Sequence, residues 1–84
     1  MSRHERVLAQ VLAGTSDANV SFRDLRNLLT ALGFEVRTKG GHFIFTRVGV
    51  AEILNLQAKG SKAKPYQVKQ VRNVIVRYKL AVQT

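Results

Sequence analysis

Thr38-Lys39-Gly40-Gly41-His42-Phe43-Ile44-Phe45 is the stretch from which the fold can be read. Gly40 and Gly41 can take the positive backbone angles that a two-residue hairpin turn requires. After the turn, Phe43 and Phe45 alternate with His42 and Ile44, so a strand with two distinct faces begins at His42. Before it, Phe34-Glu35-Val36-Arg37-Thr38 alternates apolar and polar and reads as a half-buried partner strand. A histidine, the side chain that changes charge near neutral pH, therefore stands at the lip of a sheet. The other histidine, His4, falls in the first turn of a helix and reads as a surface residue.

Working outward, Val48-Gly49-Val50 marks a second turn, and Glu52-Ile53-Leu54-Asn55-Leu56-Gln57 a third strand of an antiparallel meander. The middle strand is apolar on both faces from Phe43 to Phe45. That predicts a second covered face, under an N-terminal helix or a partner. Upstream, Ser21 caps a helix, Val20 and Leu25 have staple spacing, and Phe22, Leu25, Leu28, Leu29 and Leu32 form one stripe ending at Gly33. Downstream, Pro65 opens a helix running to about Leu80, with Val68, Val71, Ile75 and Tyr78 facing the sheet and Val74 beside them. Residues 81–84 read as a frayed tail. At the other end, Ser2 and Glu5 have capping-box spacing. Val7, Leu8, Val11 and Leu12 share a helical face, and Gly14 stops the helix.

Residues 1–84 thus form one domain: an N-terminal helix over residues 1–14, then an α-β-β-β-α core over residues 21–80. The expected class is α+β, with a three-stranded antiparallel sheet and its helices on one face, the architecture of double-stranded-RNA-binding domains.

Charge points toward function. Fourteen Lys and Arg stand against five Asp and Glu, a net +9. Residues 1–33 carry Arg3, Arg6, Arg23 and Arg26 against Glu5, Asp17 and Asp24. Residues 34–84 carry ten basic residues against Glu35 and Glu52, so the positive field belongs to the C-terminal half. Such asymmetry fits a polyanion or an acidic protein partner. The chain has no cysteine, which removes disulfides, thiolate metal sites and cysteine nucleophiles. No apolar run approaches a membrane span, and the expected location is the cytoplasm.

Ala58-Lys59-Gly60-Ser61-Lys62-Ala63-Lys64 reads as a flexible basic loop leading into a helix N-terminus, where backbone N–H groups favour anions. Lys59, Lys62 and Lys64 are the candidate phosphate contacts, with Lys39 beside the glycine turn and Lys69 on the helix that follows. Carboxylates are scattered over different elements, so no metal site and no cofactor are expected. Metal-free cleavage of RNA proceeds by attack of the ribose 2′-OH on its own phosphate. It needs a proton acceptor, a donor and charge stabilisation. His42 can be either the acceptor or the donor. Lys39, Lys59, Lys62 or Lys64 can stabilise charge. The second proton-transfer group is not identified by the sequence: Tyr66 and Tyr78 can serve, but each reads first as a core residue with its hydroxyl at the surface.

With these pieces placed, residues 1–80 resemble the HicA family of bacterial toxins. The resemblance rests on Leu32-Gly33-Phe34, on Gly40-Gly41-His42-Phe43-Ile44-Phe45, on Ile53-Leu54-Asn55-Leu56-Gln57, and on the run Gly60 to Val71 containing Lys64-Pro65-Tyr66-Gln67-Val68. It implies an endoribonuclease that cleaves mRNA and blocks translation, silenced by a HicB-like antitoxin protein, with homo-oligomers or larger toxin–antitoxin assemblies as further expectations. It also implies that His42 is the catalytic residue, in a motif whose Ser is Gly41 here. Gly40 and Gly41 form the turn that supports it, and a second histidine found in many members is Phe43 here. Two other functions compete. A non-catalytic RNA-binding module of the same fold needs the lysines but not His42. An interaction protein with an acidic partner needs no RNA affinity.

Overall fold

The computed structural model describes residues 2–82. Its elements are α1 (Arg3–Ala13), a 3-10 turn (Asp17–Asn19), α2 (Phe22–Ala31), β1 (Glu35–Lys39), β2 (His42–Thr46), β3 (Leu54–Leu56), β4 (Ala58–Lys59), β5 (Lys62–Ala63) and α3 (Pro65–Tyr78). The class is α+β. The main sheet has the order β1-β2-β3, antiparallel throughout, and β4 and β5 form a second small sheet.

The helices start where the sequence places caps. The Ser2 hydroxyl accepts from the Glu5 N–H, and the Ser21 hydroxyl accepts from the Asp24 N–H, each at 3.2 Å. Pro65 is the first residue of α3. Val20 and Leu25 are fully buried, as the staple requires.

The glycine turn sets the register of β1 and β2. Gly40 and Gly41 have φ of 55° and 82°, both positive, as in a type I′ turn, and Lys39 pairs with His42 across it. Thr38 then opposes Phe43 and Val36 opposes Phe45. On β3, Leu56 opposes Phe43 and Leu54 opposes Phe45. Paired residues share a face, so Phe43, Phe45, Leu54 and Leu56 meet the helices. They join Leu25, Leu28, Leu29, Val68, Val71 and Ile75 in one core. His42, Ile44 and Asn55 lie on the opposite face.

Five expectations change. The N-terminal helix does not cover the second face of the sheet: α1 packs on α2 and α3 through Val7 and Val11, leaving that face uncovered within the chain. Leu12 consequently turns outward. β1 is exposed along its whole length rather than half-buried, because the sheet residues that pack into the core, Phe43, Phe45, Leu54 and Leu56, belong to β2 and β3. β3 is shorter than the predicted Glu52–Gln57, because Glu52 is drawn to the Tyr78 hydroxyl and the Gln57 N–H is taken by the side chain of Gln67.

The fifth correction concerns the loop. The segment Ala58–Lys64 is not flexible: it folds as the β4–β5 hairpin around Gly60-Ser61. The Phe22 N–H donates to the Ser61 carbonyl at 3.0 Å, and the Ala63 N–H donates to the Val20 carbonyl at 2.9 Å. Ala63 is buried beneath the hairpin. Of the expected tail, Val82 packs against the core, while Gln83 and Thr84 lie outside the described residues.

Candidate functional site

The topology brings the candidate residues to one end of the molecule. β2 begins at the glycine turn, and β3, antiparallel to it, finishes there. The β4–β5 hairpin and the start of α3 follow directly. The start of α2 is tied to the same place, through Ser61 and the bridge between Ser21 and Lys62. Lys39, His42, Lys59, Lys62 and Lys64 therefore share this end, although up to 25 positions separate them in sequence.

His42 lies in an open hollow of about 320 Å³ on the uncovered face, lined also by Ile53, Asn55, Gln57, Tyr66, Gln67 and Gln70. Its Nδ1 is 3.0 Å from Oδ1 of Asn55. A side-chain carbonyl oxygen only accepts, so in the neutral ring this contact matches a hydrogen on Nδ1 and leaves the lone pair on Nε2. The contact orients the ring. Asn55 stands in β3 between Leu54 and Leu56, both buried, so its own position is set by the core.

Gln67 joins the helix to the sheet. It is the one polar residue buried among the described core. Its Oε1 accepts from the Gln57 N–H at 3.1 Å, and its Nε2 donates to the Asn55 carbonyl at 3.3 Å. The side-chain amide completes the free edge of β3 much as another strand would, and fixes the start of α3 beside His42. Nε2 of Gln67 also lies 3.4 Å from the Tyr66 hydroxyl.

The lysines occupy distinct stations. Lys64 precedes α3 and donates from Nζ to Oε1 of Gln57 at 3.1 Å, at the rim of the hollow. Lys39 is exposed across the turn from His42. Lys59 and Lys62 oppose one another across the hairpin, an arrangement of like charges that a polyanion relieves. Lys69 is exposed on α3, one turn beyond the hollow-lining residues at its start. The first turn of α3 has no acidic residue and no side-chain cap, which leaves its positive end open to an anion.

Tyr66 and Tyr78 separate in space. Tyr66 is 58% exposed, and it lines the His42 hollow. Tyr78 donates to Oε1 of Glu52 at 2.6 Å and accepts from the Ala51 N–H, at the far end of α3. Its hydrogen bond, aided by Arg77, holds the Glu52 carboxyl below its ordinary value of 4.5. A larger depression, about 450 Å³, is lined by Gly33, Glu35, Thr46, Arg47 and Val48 away from the glycine turn. It holds no histidine. Among the described residues, no three of His, Asp and Glu gather as metal ligands would.

Asn55, Gln57, Gln67 and Gln70 escaped the sequence argument. Asn55 had a signal, because asparagine is disfavoured mid-strand and here interrupts an apolar run. The glutamines had none. Comparison of this chain with family models, with curated proteins and with solved structures finds no match.

Proposed function

We propose that the protein is a metal-independent endoribonuclease and the toxin of a type II toxin–antitoxin pair, cutting mRNA in the cytoplasm and neutralised by a HicB-like antitoxin. The observation that carries this reading is the His42 imidazole, oriented by Asn55 with Nε2 free, at the end of the molecule where the lysines converge. Nε2 takes the proton of the ribose 2′-OH as its oxygen attacks the adjacent phosphorus. The bond from phosphorus to the 5′-oxygen breaks, and that oxygen receives a proton from Tyr66 or water. Lys64 at the rim and Lys39 across the turn supply positive charge to the phosphorane. The products are a 2′,3′-cyclic phosphate and a 5′-OH.

Two features fit a silencing partner. The sheet face carrying His42 is uncovered, and its surroundings are basic. An acidic antitoxin surface laid over both would block substrate entry.

The test is purified wild type and His42→Ala on mRNA, with and without EDTA, alongside induction of each in a bacterial host. Cyclic-phosphate ends, indifference to EDTA and growth arrest by wild type alone are expected. RNA binding without cleavage would leave a binding module of the same fold. Cleavage abolished by EDTA would overturn the metal-free mechanism.

A further inference from the structure

Arg26 stands one helical turn after Phe22 on α2, so its side chain lies back along the same face. Its guanidinium carbon is 4.7 Å from the ring centroid of Phe43 and 5.6 Å from that of Phe22. The two rings meet edge to face, with centroids 5.3 Å apart. The aromatic pair therefore holds the guanidinium in place.

The charge is unmatched. Nε of Arg26 is buried without a hydrogen-bond partner. Arg3, Arg72 and Arg77 each have a carboxylate, whereas Arg26 forms no ion pair among the described residues. Arg26 is half-buried and Nε is its one buried, unpartnered nitrogen, so the two terminal nitrogens, which make no hydrogen bond among the described residues, retain some access to solvent. A guanidinium fixed by aromatic rings with its fork open is pre-organised for bidentate contact with an oxyanion.

Its neighbours select the ligand. Phe43 directly follows His42 on β2 and points to the other face. Phe22 is bonded to Ser61 at the tip of the lysine hairpin, and Ser21 is bridged to Lys62. Asp24, the acidic residue of this helix start, is paired with Arg3 at 3.2 Å. We propose that Arg26 is a phosphate ligand for RNA, on the far side of the hairpin end from His42, so that the bound strand wraps that end and contacts both faces. This rests on the RNA reading above and adds a subsite to it.

The test uses a 2′-O-methyl oligoribonucleotide, which binds but cannot be cleaved by 2′-OH attack. Anisotropy titrations over a range of salt compare wild type, Arg26→Met, Arg26→Lys and Arg77→Met, each checked for folding by circular dichroism. Arg26→Met is expected to weaken binding about tenfold at low salt and to lower the slope of log K against log salt by about 0.7. Arg26→Lys keeps the slope but recovers only part of the affinity, because an ammonium lacks the fork. Arg77→Met, which removes one charge far from this end, changes affinity by less than about twofold. An Arg26→Met protein that binds as well as Arg77→Met overturns the subsite. Should Arg26→Met not fold, unchanged affinity in Arg26→Lys does the same. A wild type that binds no RNA overturns the RNA reading itself. Loss of binding to a polyglutamate peptide, with RNA binding intact, would assign Arg26 to an acidic protein instead.

Discussion

At the end of α3 far from the glycine turn, Glu52 accepts the Tyr78 hydroxyl at 2.6 Å and lies 3.4 Å from Arg77. At the glycine-turn end, Lys39, Lys59 and Lys62 stand exposed without a carboxylate partner among the described residues. Three of the five acidic residues, Asp17, Asp24 and Glu52, are held in ion pairs. Asp17 likewise holds Arg72 at 2.9 Å, where the guanidinium also donates to the Val11 carbonyl and ties α1 to α3. That carboxylate raises the pKa of the Arg72 guanidinium. Paired charges here fasten elements together, while the lysines of the glycine-turn end are left without a carboxylate among the described residues, which is the feature the proposed RNA contact draws on.

The sharpest way to break this contrast is at His42. His42→Ala should reduce RNA cleavage by at least about 100-fold, the scale of a lost general acid or base, with oligonucleotide affinity within about twofold of wild type. Equal cleavage by both proteins would make the histidine a bystander. Next in size is the hairpin. The triple variant Lys59→Gln, Lys62→Gln, Lys64→Gln should lower the salt slope of RNA binding by about 2 if each lysine meets one phosphate. Like-charge repulsion across the hairpin disappears in the same variant, so its melting temperature should hold or rise. A melting temperature that fell with RNA binding intact would turn these lysines into structural groups.

Smaller effects test the scaffold beneath. Gly41 has φ of 82°, and a Cβ there meets nothing within 4 Å, so strain alone opposes a side chain. Gly41→Ala should cost about 1–2 kcal/mol in chemical denaturation. The smallest effect belongs to the paired end. Because the folded state depresses the Glu52 pKa, the Tyr78 contact contributes fully above about pH 4.5 and fades as pH falls below it. Tyr78→Phe should flatten the acid limb of the stability–pH curve while leaving RNA affinity unchanged. A steeper acid limb would contradict the assignment of that hydrogen bond.

Much of the architecture was legible in order along the chain. Ser2, Ser21 and Pro65 signal helix starts through local backbone chemistry. Gly40-Gly41 signals a type I′ turn, because that turn needs positive φ twice. The β4–β5 hairpin carried a signal too. Gly60-Ser61 suits a type II′ turn, and Gly60 alone of the two has positive φ, at 63°. It read as a loop because its strands are two residues each, of Ala and Lys, with little strand propensity of their own. What holds them is bonding to Val20 and Phe22, some 40 positions earlier. The exposure of β1 is not legible either, since Val36 alternates correctly and only the packing of the core on β2 and β3 leaves it bare.

Residue order alone sets the three helix starts, the glycine turn before β2, the α+β class, the basic character of the C-terminal half and the histidine at the start of β2. Each of these follows from interactions among near neighbours or from composition. The tertiary structure alone decided that Asn55 orients that histidine, that Gln67 completes the edge of β3 beside it, and that Arg26 stacks on Phe43. Those contacts join residues 10 to 17 positions apart, on elements whose relative placement is set by how the apolar core closes, and no local periodicity records them.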